Sequence, residues 1–100
     1  MSNPQNLPEI LKELRQLLPL LSERYSIETL GVFGSYVRQE ASPTSDLDLL
    51  VTFSDPPGLI KFIELENTLS DYLGIRVDLV MKDALKPAIG KRILEEVLLI

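Results

Sequence analysis

Three short apolar runs constrain the fold of this chain more than any other feature: IETLGVFG (27–34), LDLLVTF (47–53) and IRVDLVM (75–81). Each reads as a strand bounded by turn residues, the first with Leu30 and Val32 on one face, the second the most apolar and so the most buried. Around them lie segments of helical period. Residues 9–25 (EILKELRQLLPLLSERY) repeat Ile10, Leu11, Leu14, Leu17, Leu18 and Leu21 at helical spacing, with Pro8 suited to the first turn. Pro19 falls inside this pattern and predicts a kink or a split. Residues 59–73 predict an amphipathic helix with Leu59, Phe62, Leu65, Leu69 and Tyr72 on one face and Gly74 as its cap. Pro87 opens a last helix carrying Ile89, Ile93, Leu94 and Val97. The order α-β-β-α-β-α predicts an α/β (α+β) fold, a small mixed β-sheet flanked by helices.

Two of the apolar runs contain acids, although burying a charge is costly unless it is paired. Side chains alternate along a strand, so Asp46 and Asp48 share one face while Leu47, Leu49, Val51 and Phe53 take the other. Asp78 repeats the pattern, with Val77 and Leu79 pointing away from it. If the two strands are neighbours, three carboxylates converge on one side of the sheet. Such a cluster is repulsive without compensation. A hard divalent cation such as Mg²⁺ supplies that compensation through carboxylate oxygens, and two such ions can clamp a phosphoryl or nucleotidyl transfer. The chain has no histidine and no cysteine, which removes thiolate zinc sites and the commonest general base and agrees with hard-cation chemistry.

The other half of the motif is Gly34-Ser35, which ends the first strand. Glycine allows a tight turn and close approach of a ligand. A short helical turn through Tyr36, Val37 and Arg38 would aim its first amides outward toward an anionic group such as a triphosphate. Ser35 can add a hydroxyl donor, and Arg38 can pair with phosphates or with an acid of the cluster. Tyr36 reads as a surface or partner contact. Structural alternatives stand beside each of these: an N-cap serine, a turn aspartate, an edge-strand acid facing water.

Gly34-Ser35, ten intervening residues, then Asp46-Leu47-Asp48 resembles the GS-x10-D-x-D signature of the DNA polymerase β-like nucleotidyltransferase superfamily. From about Leu7 onward the layout is similar to its minimal nucleotidyltransferase (MNT) branch. The resemblance implies that Asp46, Asp48 and Asp78 bind Mg²⁺, two ions in all, and that Asp78 can act as base. It implies that Gly34, Ser35 and Arg38 hold the phosphates of ATP. Members of this kind act as MntA-like antitoxins that transfer AMP to a tyrosine of a HEPN-domain ribonuclease toxin, in a hetero-oligomer with it. A non-catalytic antitoxin and a small-molecule nucleotidyltransferase are the alternatives. The family commonly reads GS-x-A-R-G where this chain has GSYVRQ, so Gln39 replaces a glycine and predicts an altered turn.

Composition narrows the setting. With 100 residues, 45% of them hydrophobic, the expectation is one domain, 1–100. A net charge of −5 argues against direct nucleic-acid binding. The apolar stretches fall short of the roughly 20 residues that span a bilayer, and MSNPQNLPEI lacks the regions of a signal peptide. A cytoplasmic protein without membrane contact is therefore expected.

Overall fold

The computed structural model describes residues 6–100; the first half of the segment read for a leader lies outside them. The chain runs α1 (Leu7–Tyr25), β1 (Ile27–Phe33), β2 (Leu47–Phe53), α2 (Leu59–Leu73), β3 (Val77–Met81), a 3₁₀ turn (Lys82–Ala84), α3 (Pro87–Glu96) and β4 (Leu98–Leu99). The sheet order is β3-β2-β1-β4, with β1 antiparallel to both neighbours and β2 parallel to β3. A parallel pair needs a crossover, and α2 is that crossover. No helix among the described residues is long and apolar enough to cross a membrane.

Helix α1 begins where Asn6 Oδ1 accepts the Glu9 N–H at 3.0 Å, with Pro8 in the first turn. It is one continuous helix through Pro19, so the predicted split does not occur. Pro19 and Arg15, whose carbonyl loses a partner, are both exposed, so water can satisfy that carbonyl. The buried stripe Ile10, Leu14, Leu17 and Leu21 runs on undisturbed past it.

The core lies on one face of the sheet, under α1 and α2. Leu47, Leu49 and Val51 of β2 are 0% exposed and pack with Leu30, Val32, Val77, Leu79 and the α2 leucines Leu65, Leu69 and Leu73. Each such side chain contributes about 1.5–3 kcal/mol by leaving water. The predicted face of α2 shifts at its ends: Leu59 is 75% and Tyr72 53% exposed, while the buried stripe Leu65, Leu69 and Leu73 runs to the last residue of the helix. α2 also closes the sheet's outer edge. The β3 N–H groups of Val77 and Leu79 donate to Ser70 Oγ at 2.9 Å and Glu66 Oε2 at 2.8 Å, which blocks strand addition.

The far side is covered more thinly. α3 stops at Glu96, and Val97, expected within the helix, instead turns the chain into β4. Two residues of β4 pair with Gly31 and Val32 at the opposite edge. A side chain at Gly31 would press on Val97 Cγ2 at 2.6 Å, so glycine is what lets this segment lie against β1.

Candidate active site

The turn after β1 is built around Gly34. Its φ of +83° suits glycine, and a Cβ there would run into the Asp48 carboxylate, 3.0 Å from its Cγ. The Val37 and Arg38 N–H groups both donate back to the Gly34 carbonyl, at 3.0 and 3.1 Å. Those two amides therefore turn back into the loop. The Ser35, Tyr36 and Gln39 amides make no hydrogen bond among the described residues, and the first two stand beside Gly34 as donors open to a ligand. Gln39 adopts φ +60°, so the left-handed conformation that glycine would favour is kept without glycine. Tyr36, expected at the surface, is only 8% exposed and joins the core cluster. Burial, and then the charge of Asp46, raise its phenol above the ordinary value.

The three acids come together as the alternation of the strands requires. Asp48 and Asp78 are register partners on the parallel strands β2 and β3, whose backbones lie about 4.8 Å apart. Asp46 stands two residues earlier on the same face. Its nearest cation is the exposed Arg76, with Nε 3.9 Å from Oδ1, a weak pair. Asp48 has no ion pair among the described residues. Burial pushes its carboxyl up to about 6, with Asp78 and then Asp46 adding to the effect. Repulsion of this kind is what a cation relieves. Among the described residues no three acids close into a ready-made metal cage. The donor set still fits Mg²⁺, which takes one or two carboxylates and completes its shell with phosphate and water.

A cleft of about 280 Å³ opens between this edge and α3. Phe33, Gly34, Arg38 and Asp48 form one wall. Ile89, Arg92, Ile93 and Glu96 form the other. Asp48, Gly34 and Arg38 thus meet in one cavity, while Asp46, Asp78 and Ser35 lie outside its lining. Arg92 and Glu96 were not singled out from the sequence. Their signal was helical spacing alone: residues 89, 92, 93 and 96 fall on one face of α3. Glu96 Oε2 accepts the Gly34 N–H at 2.7 Å, and its Oε1 accepts from Arg38 Nη1 at 2.9 Å. Arg38 also donates through Nε to Glu40 at 2.7 Å, so its partners are these two glutamates and not the aspartates. Burial raises the Glu96 carboxyl, but the Gly34 N–H and then Arg38 outweigh it and hold the group below its ordinary value.

The chain matches the family model of the nucleotidyltransferase domain over residues 8–100. It is 52% identical over 91 residues to the protein adenylyltransferase MntA of Thermococcus cleftensis, covering 87% of this chain and 92% of that one. A solved structure assigned to the minimal nucleotidyltransferases superposes with a TM-score of 0.76 at 37% identity, over 90% of this chain and 92% of the other. A toxin–antitoxin structure with AMP-PNP superposes with a TM-score of 0.68 at 25% identity, over 92% of this chain and 69% of that one. The chain belongs to the nucleotidyltransferase family, in the branch of protein adenylyltransferases that contains MntA.

Proposed function

We propose that this enzyme transfers AMP from ATP to a hydroxyl, a tyrosine, of a HEPN-domain ribonuclease toxin and thereby neutralises it. The observation that carries the reading is the register pairing of Asp48 with Asp78 beside the Gly34 turn, which brings the acids and the turn to one end of the sheet. The similarity to a protein adenylyltransferase and to a toxin–antitoxin structure with an ATP analogue supports it.

In this reading the free amides of Ser35 and Tyr36, with Gly34 and Arg38, orient the triphosphate. Asp46, Asp48 and Asp78 would hold Mg²⁺, which would supply charge neutralisation of the phosphates and favour the ionised form of the attacking hydroxyl. The tyrosine oxygen forms a bond to the α-phosphorus, the bond to the bridging oxygen breaks, and pyrophosphate leaves with the electron pair. Asp78, the most exposed position of the strand pair, receives the hydroxyl proton. Most of the rate gain is positioning and charge neutralisation, for which no histidine is needed.

The test is transfer of α-labelled AMP to the purified partner toxin. Asp48→Asn should lower it by about 10²–10³-fold, the scale of losing one preorganised electrostatic partner. Unchanged labelling in Asp46→Asn, Asp48→Asn and Asp78→Asn would sink the assignment. A binding-only antitoxin draws on a different observation, the exposed Leu59, Ile60 and Ile63 on α2. Under that reading the aspartate variants still neutralise the toxin, and polar substitutions on α2 do not.

A further inference from the structure

The last residue of α3 carries an anion into the cleft. Glu96 spans two donors with its two oxygens, the Gly34 N–H and the Arg38 guanidinium, much as two oxygens of one phosphate would. Its side chain is 20% exposed, against 61% for Glu40, the other partner of Arg38. No anionic ligand can use both donors while the carboxylate stays. We propose that Glu96 is an internal anion seated in the cleft's phosphate subsite, an autoinhibitory latch that the incoming nucleotide must displace. The proposal rests on the reading of this cleft as a nucleotide site.

The surrounding structure makes release cheap. Gly90 is the one buried residue of α3, and Ile89 and Leu94 are 56% and 47% exposed, so little packing resists a small shift of the helix. Beyond it the chain is held by two pairs of strand residues and by Ile100, which packs on the core and donates its N–H to the Leu30 carbonyl at 3.0 Å. Glu96 also adds negative charge beside Asp48, which increases the repulsion among the acids. A triphosphate that arrives with Mg²⁺ answers both effects: it replaces Glu96 on the donors and brings positive charge to the aspartates. The cavity of about 280 Å³ sits just under the roughly 300 Å³ where ligand pockets usually begin, and withdrawal of the side chain enlarges it.

A role in holding Arg38 ready for phosphate would have the opposite sign, since removing Glu96 would then weaken binding. Calorimetric titration of inorganic tripolyphosphate and of Mg-ATP into the wild type, Glu96→Gln and Glu96→Ala separates the two. Both variants should bind tripolyphosphate about tenfold more tightly, the scale of freeing charge-assisted donors. Equal or weaker binding in both variants overturns the latch and leaves the nucleotide reading standing. Failure of all three proteins to bind either ligand overturns both. In the wild type, without any substitution, NMR titration with tripolyphosphate should move the Glu96 carboxyl resonance together with the Gly34 amide. A Glu96 signal that stays fixed while Gly34 moves also overturns the latch.

Discussion

The two faces of the sheet are built to different standards. On one, α1 and α2 press leucines against β2 until Leu47, Leu49, Val51, Leu65, Leu69 and Leu73 have no exposed surface. On the other, α3 touches the sheet loosely, leaves Ile89 and Leu94 largely in water and encloses a cleft lined by two arginines and two acids. Leu50 and Phe33 are buried on that side without joining the main core cluster. Folding free energy therefore comes mainly from one face, and the other is free to keep unpaired charges and an open cavity. In so short a chain this division lets repulsive carboxylates persist.

The sharpest way to break the comparison is to truncate one side chain on each face. Leu49→Ala should cost about 3 kcal/mol, as removal of a fully buried leucine does, whereas Ile89→Ala should cost under about 0.5 kcal/mol. Equal losses in chemical denaturation would mean that α3 is packed as tightly as α1.

A smaller effect concerns the charge that the open face tolerates. Asp48 titrates at about 6 in the folded chain against 3.8 as a free side chain, so the native state keeps a proton that the unfolded chain releases. The stability that this proton contributes is full below about pH 4 and is lost as the pH rises through 6. With chelator present, the wild type should therefore lose about 1–2 kcal/mol relative to Asp48→Asn between pH 4 and pH 7, after allowance for solvent screening. A constant difference across that range would mean that the aspartates do not repel. The smallest effect belongs to the turn. Gln39 is exposed at φ +60°, so Gln39→Gly should stabilise the chain by about 0.5–1 kcal/mol, the left-handed strain it removes being partly offset by unfolded-state entropy. A loss of stability would show that the Gln39 side chain holds the turn.

What could be read in the sequence was whatever repeats. Alternation in LDLLVTF and IRVDLVM put Asp48 and Asp78 on one face, and their neighbouring strands then made them partners. Helical period with Gly74 bounded α2, whose left-handed cap at Gly74 closes it as expected. Contacts without a period were invisible. Glu96 lies 62 residues from the Gly34 amide it occupies, and nothing local in ILEE announces that meeting. Leu98 and Leu99 are too few to display a strand's alternation. Tyr36 sits in a turn whose inward side is decided by the core beneath it. Pro19 does not split α1, because the pattern records only that a proline lies inside a helix, and exposure of the freed carbonyl decides whether the helix must end.

The pairing of Asp48 with Asp78 also ties correct assembly to chemical competence. If β3 paired with β2 one residue out of register, Asp78 would turn toward the leucines of α2, and Val77 and Leu79 would turn toward water. A slipped molecule would lose its third carboxylate and its hydrophobic contacts in the same event. Misassembled copies would thus be unstable and, on the proposed role of the aspartates, silent as enzymes, so that activity itself would report whether the central strands have zipped correctly.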